Sequence, residues 1–236
     1  MKSLLFATAT LALVATSASN AAFVYGGGTE TGSRFNAGAG AIAYMNCFTA
    51  IDGTAAQTQL ALESAIVGIR RIAAAGALTD VGINIYAAEM TFDGVDFGRG
   101  ANYQIYSSAS LGAGAASVTQ LVNTGAVAGV TLNLETLSNV GLGGWWIGVE
   151  FTGANAASTA NGWRVMNAPT TGASINAFGI FNNAGSGIFQ AFFAFGTPPG
   201  ASPSRFMVDV NGTLVPAPGA FALLGVAGLL GGRRRR

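Results

Sequence analysis

Three glutamates carry the acid–base possibilities of this chain. Glu89, Glu135 and Glu150 each sit on or beside an apolar, strand-like stretch. Two carboxylates facing across a cleft, about 5–10 Å apart, are the machinery of glycoside hydrolysis. No histidine is present, so neither a Ser-His-Asp nor a Cys-His system exists. Histidine-containing zinc sites go with it, and the single Cys47 cannot build a thiolate-only one. A carboxylate-only glycosidase is the hydrolase class that remains, and no paired motif supports it.

Asp93 and Asp96 in "DGVDFG" offer hard oxygens suited to calcium, but the full Asp-x-Asp-x-Asp-Gly loop is missing. The plainer reading is a turn in which the aspartate caps its own backbone. The adjacent pair Trp145-Trp146 is the other conspicuous feature. Neighbours on a strand face opposite sides. One indole is thus expected in the core, and the other either packs under a loop or lies open to stack on a sugar ring. Arg70-Arg71 interrupts an apolar run. At least one is expected to face outward, the other pairing with Asp80 or Glu89 on a neighbouring strand. Cys47, in "AIAYMNCF", reads as a small buried hydrophobe. Asn211-Gly212-Thr213 matches a glycosylation sequon and is taken as chance.

The elements that must position these residues are short. Only 9% of the chain is charged, half is apolar, and glycine supplies 35 of 236 residues, far above the usual ~7%. Such a composition disfavours helices and suits strands joined by turns. In "DVGINIYAAEM", Ile83, Ile85 and Ala87 fall on one face, Asn84 and Tyr86 on the other. "SAIVGIRRIA", "ANYQIYSS", "SVTQLVN", "AGVTLNLETL", "WWIGVEFTG", "GWRVMNA", "NAFGIFNN" and "GIFQAFFAF" are further expected strands. In "SRFMVDVNG", Phe206, Val208 and Val210 alternate with Met207 and Asp209. "TAAQTQLALESA", residues 54–65, is the one stretch expected to make a helical turn or two. No fixed-period repeat occurs. The expected fold is all-β, a single jelly-roll-like β-sandwich over residues 22–214.

The two ends read differently. Lys2, an apolar run from Leu4 to Ala15 and the small residues "SASNAA" form a secretory signal peptide, residues 1–21, with the cut expected after Ala21. The segment from Ala22 to Leu214 carries six arginines against ten acids, a net charge of −4, whereas the whole chain is +1. The basic excess therefore belongs to the ends, and the body has no electrostatic footprint for nucleic acid.

The chain closes with "VPAPGAFALLGVAGLLGGRRRR". Its apolar run Gly219–Gly232 has 14 residues. As a helix it would reach about 21 Å, short of a hydrocarbon core of about 30 Å. Arg233, Arg234, Arg235 and Arg236 follow at once and would hold the cytoplasmic side. Residues 215–236 resemble the PEP-CTERM sorting signal of Gram-negative bacteria: a Val-Pro-x-Pro start, a Gly/Leu/Ala-rich helix and a terminal arginine cluster. Val215, Pro216 and Pro218 match, and Ala217 stands where that signal usually has glutamate.

The resemblance covers about a tenth of the chain. It implies an exosortase-like partner that cleaves near Val215, Pro216, Ala217 and Pro218. It also implies a short transmembrane intermediate in the inner membrane and release or attachment at the cell surface. The expectation is an exported, non-enzymatic structural or adhesive protein of an extracellular polysaccharide or biofilm matrix, without a cofactor. The alternatives are a carbohydrate-binding module using Trp145 or Trp146, the glycosidase above, and an ice-binding surface, for which no Thr-x-Thr ladder occurs.

Overall fold

The computed structural model describes residues 22–50, 57–73, 77–137, 142–175, 178–182, 188–191, 194–195, 202–203 and 205–216. The signal segment, residues 217 and 218 and the apolar tail with its arginines lie outside the described residues. In chain order the strands are β1 (Ala22–Tyr25), β2 (Glu30–Phe35), β3 (Ala41–Ala50), β4 (Gln57–Arg71), β5 (Gly82–Phe92), β6 (Phe97–Ser108), β7 (Val118–Asn123) and β8 (Thr131–Asn133). They continue as β9 (Glu135–Leu137), β10 (Leu142–Thr152), β11 (Asn161–Met166), β12 (Phe178–Asn182), β13 (Ile188–Ala191), β14 (Ala194–Phe195), β15 (Ser202–Pro203) and β16 (Val208–Pro216). No helix occurs among the described residues.

Two seven-stranded antiparallel sheets hold nearly all of these strands, while β14 and β15 pair separately. One sheet is built on β4, whose edges are each shared by two partners. Val67 lies between Val208 of β16 and Val122 of β7, whereas Arg71 lies between Asn161 of β11 and Val118 of β7. The other sheet runs β13-β12-β3-β10-β5-β6, with β9 beside β10. Both contribute to one core. From the β4 sheet come Leu60, Leu62, Ala65, Val67, Ile69, Trp163 and Val208; from the β10 sheet come Met45, Cys47, Ile83, Ile85, Trp145, Ile147 and Phe151. Each such aliphatic or aromatic side chain contributes roughly 1.5–3 kcal/mol on burial. This is the layout of a β-sandwich.

Alternation explains most of the strand faces. Ile83, Ile85 and Ala87 are fully buried, while Asn84 and Tyr86 point to the opposite face. Phe206, Val208 and Val210 are likewise fully buried. The stretch expected to turn as a helix is instead β4 from Gln57 onward. Backbone hydrogen bonds to β16 and β8 on its two edges outweigh the local helix preference of Ala, Gln, Leu and Glu. The alternation shifts by one residue at Glu63, which the register leaves as the extra residue between Leu62 and Ser64.

The run Gly26-Gly27-Gly28 marks where the edge chain changes partner, from β16 alongside β1 to β11 alongside β2. Gly26 and Gly27 have φ of 125° and 75°, and a Cβ on Gly26 would run into Asp209 and the Val208 carbonyl. Only glycine meets both demands.

β16 carries the body further than the sequence boundary at residue 214. Val215 pairs with Gln59 and Pro216 with Gln57, so the first two residues of the Val-Pro-x-Pro segment are strand residues.

Candidate functional site

The carboxylates do not assemble into a facing pair. Glu89 lies opposite Trp145 on β10, and Glu150 is five residues further along that strand. At ~3.3 Å per residue that separates them by about 16 Å, on opposite faces. Glu135 lies opposite Gly144, six residues from Glu150, or about 20 Å at the same rise. Glu89 and Glu135 occupy successive positions along one edge of β10, so their side chains have opposite parity. Glu89 is also engaged: Oε1 accepts the Asn133 amide N–H at 3.0 Å and its side-chain N–H at 2.6 Å. These bonds join β5 of one sheet to β8 of the other.

Trp145 and Trp146 are both buried, at 0% and 1% exposure. Of the two readings, packing holds at both positions, and neither indole is open to stack on a sugar ring. Trp145 enters the shared core edge-on to Tyr25, with ring centroids 6.3 Å apart. Trp146 takes the opposite face, as parity requires, but Tyr44 packs edge-on against it and its Nε1 donates to the Gly98 carbonyl at 2.9 Å. Gly98 belongs to β6 of the same sheet, so the indole lies across the face, its N–H ending on β6, in a cluster with Tyr44, Phe48, Met90 and Phe97.

Asp93 caps its own hairpin turn, Oδ1 accepting from the amides of Val95 and Asp96 at 2.9 and 2.8 Å. Those bonds, the one from Asp96 foremost, hold its carboxyl below the usual range. Among the described residues no group of three or more ligating side chains comes together for a metal.

Arg70 faces outward. Arg71 is buried at the end of the core and donates to the carbonyls of Leu111 (2.8 Å), Thr79 (2.9 Å) and Gly112, and to Gln120 and Asn161. It thus pins two loops. Its partners are backbone carbonyls and carboxamides, not the expected Asp80 or Glu89 carboxylate; Asp80 acts on it only through its charge. Burial draws the Arg71 pKa down. Cys47 is fully buried, and burial pushes its thiol pKa up, away from reactivity. Asn211 sits within β16 and donates to Ser64 Oγ at 3.2 Å.

The polar chemistry that does converge lies on the outer face of the β10 sheet, and the list of candidate residues drawn from sequence contains only Glu150 and Trp146 of it. Tyr44, Gly148 and Tyr86 form one cross-strand row; Ile42, Glu150 and Asn84 form the next. Glu150 Oε2 accepts from the Tyr86 hydroxyl at 2.7 Å and from Asn84 Nδ2 at 3.0 Å. Burial, then the neighbouring Glu150, push the Tyr86 pKa up to about 12. Tyr44 receives a hydrogen bond from Arg99 at 2.7 Å and donates to Asn102 at 3.0 Å. The Arg99 guanidinium lies 3.6 Å above the centre of the Phe181 ring.

Glycine in β10 makes this possible: a Cβ on Gly148 would come 2.5 Å from the Tyr44 ring. The signal in the sequence was the alternation Gly144-x-x-x-Gly148 between bulky residues, which leaves the outer face of β10 low for aromatic rings to lie across. Phenols, a carboxamide and a carboxylate at one spot are the donors and acceptors that a polyol needs.

No family model, no curated protein and no solved structure matches this chain.

Proposed function

We propose that this chain is an exported, non-enzymatic surface or matrix protein: a jelly-roll-like body delivered by its first 21 residues and sorted by its last 22 through an exosortase-like enzyme. The observation that carries the reading is the pairing of β1 with β16. Ala22 lies opposite Gly212, and the two strands run antiparallel. Both segments with export features, residues 1–21 and 217–236, therefore join the body at one end of the β4 sheet. A body held by its tail stands with that end toward the membrane. The end with Arg71 and its pinned loops then points away. The chain crosses between the two sheets at seven connections, β2–β3, β3–β4, β4–β5, β6–β7, β8–β9, β10–β11 and β11–β12, which supports the jelly-roll likeness.

The test is cell fractionation with an epitope tag at the exposed hairpin tip near Val95. The extracellular form is expected to begin near Ala22 and to lack the arginine tail. An extracellular form that keeps Met1 and Arg236 would overturn the reading.

The carbohydrate-binding alternative moves off the buried tryptophans. The Tyr86–Asn84–Glu150 group supports it, because it presents polyol-matching groups on a rigid sheet face. A glycan array comparing the wild type with Tyr86→Phe and Asn84→Ala tests it; identical profiles would remove this alternative.

A further inference from the structure

The outer face of the β4 sheet carries three arginines on adjoining strands. Arg70 of β4 lies directly opposite Gly162 of β11, and Arg164 of β11 lies opposite Arg34 of β2. Directly opposed residues share a face. Ile69 and Trp163 point into the core, so Arg34, Arg70 and Arg164 point out. Half of the six arginines of the body thus gather on part of one face, in a segment of net charge −4.

Their charges are unequally compensated. Arg164 is largely buried, and its Nε pairs with Glu30 at 2.8 Å while Nη1 donates to the Gly32 carbonyl. Arg34 reaches across Gly162 and gives Nε and Nη2 to the Thr159 carbonyl at 3.1 and 2.7 Å. No carboxylate of the described residues meets it. The Arg70 side chain makes no ion pair or hydrogen bond among the described residues, its ladder neighbours being Gly162 and Thr119. Beside Arg34 opens a surface cavity of about 420 Å³, lined by Gly32, Ser33, Arg34, Asn36 and Thr159. Its lining is polar, with two hydroxyls and a carboxamide beside the guanidinium.

We propose that this face binds an acidic polysaccharide: Arg34 and Arg70 take carboxylates of the polymer and the Ser33–Asn36–Thr159 cavity takes the hydroxyls of one sugar ring. Guanidinium matches carboxylate as a planar fork. Nucleic acid fits less well. The cavity lining has no aromatic platform for a base, and a body of net negative charge repels a polymer as densely charged as DNA. The site lies on the sheet opposite the Tyr86–Glu150 group and does not depend on the export reading.

The test uses the full-length protein in mild detergent with three probes: polygalacturonate, neutral dextran and double-stranded DNA. Polygalacturonate is expected to bind saturably and to weaken as salt rises, with dextran and DNA failing to compete. Arg34→Gln and Arg70→Gln should each raise Kd about tenfold, the loss of roughly one charge-assisted contact. Val95→Ser, at the hairpin tip, should bind like the wild type. Circular dichroism and thermal melts check that each variant is folded, and Arg34→Lys, which keeps the charge but not the fork, should lie between wild type and Arg34→Gln. The absence of polygalacturonate binding overturns the proposal. So does equal binding of dextran, tighter binding of DNA, or an affinity indifferent to both arginine substitutions.

Discussion

Glu89 and Asn133 clamp the two sheets together. The carboxylate of Glu89, on β5, takes both the backbone and the side-chain N–H of Asn133, on β8. A residue first read for catalysis is thereby engaged in architecture. Charge-assisted hydrogen bonds contribute roughly 1.5–3 kcal/mol when sheltered, and less at a site open to water. Glu89→Ala is expected to lower the unfolding free energy by about 1–2 kcal/mol. Asn133→Ala should cost less, because its backbone N–H remains. In urea denaturation the double variant should fall short of the sum, since the two share one interaction. Full additivity would show that the clamp contributes nothing.

Trp146 is expected to act on stability before it acts on any ligand. Its indole is buried against Tyr44 and bonded to the Gly98 carbonyl. Trp146→Ala should destabilise by about 3–5 kcal/mol, as for other large buried aromatics. Trp146→Phe should cost less, chiefly the hydrogen bond to the Gly98 carbonyl. Equilibrium unfolding followed by circular dichroism reads both. A Trp146→Ala protein as stable as the wild type would contradict the packing described.

How much of this was readable beforehand depends on the number of faces a strand buries. Over Ile83–Ala87 and Phe206–Val210 the chain buries one face, so alternation identified Ile83, Ile85, Phe206, Val208 and Val210 directly. β3 was not singled out as a strand, because it is buried on both faces from Ala41 to Thr49 and has no alternation to read. The same cause hid the fate of Trp146. Its outward parity was legible, but the cluster with Tyr44, Phe48 and Phe97 that buries it on that face was not. Arg71 was legible as a charge in need of a partner; that loop carbonyls would supply the acceptors is a property of distant turns. The outward arginines escaped notice because Arg34, Arg70 and Arg164 meet only through strand pairing.

Alkaline stability should report on the Tyr86–Glu150 contact. Tyr86 has its pKa raised from 10.0 to about 12 in the folded protein. A raised folded pKa means that the contribution is fully present below the unfolded value and is lost as pH climbs through the folded one. Stability should therefore decline between about pH 10 and 12, where the unfolded chain releases this proton more readily. Tyr25 and Tyr44, also raised by burial, add to the decline. Tyr86→Phe should make the loss shallower in thermal melts across this range. An unchanged slope would mean that Tyr86 ionises freely.

Arg71 is expected to hold the far end of the body in order. Replacing it with Met keeps length but leaves the carbonyls of Thr79, Leu111 and Gly112 without their shared donor. The expected cost is about 2–3 kcal/mol, from buried acceptors left unsatisfied. Limited proteolysis should show new cutting in residues 77–81 and 109–117 ahead of global unfolding. Lysine, a single-point donor, should recover only part of the loss.

The last expectation concerns where the folded body ends. From Gly212 to Pro216, β16 continues to pair with β4, from Leu62 down to Gln57. Leu214 packs on the shared core, and Thr213 donates to Glu63 at 2.8 Å. Those residues are thus part of the sheet, although they adjoin a tail read as removable. A chain trimmed to residues 22–216 should unfold cooperatively with the same urea midpoint as the longer chain. Trimming to residues 22–212 removes one edge partner from the start of β4 and uncovers Leu60, which is fully buried. That protein should lose about 2–4 kcal/mol, from the loss of the half-buried Leu214, its ladder bonds and the cover over Leu60. Processing that leaves a stable product must therefore cut beyond Pro216. Mass spectrometry of the mature C-terminus checks this directly, and a stable product ending before Val215 would refute it.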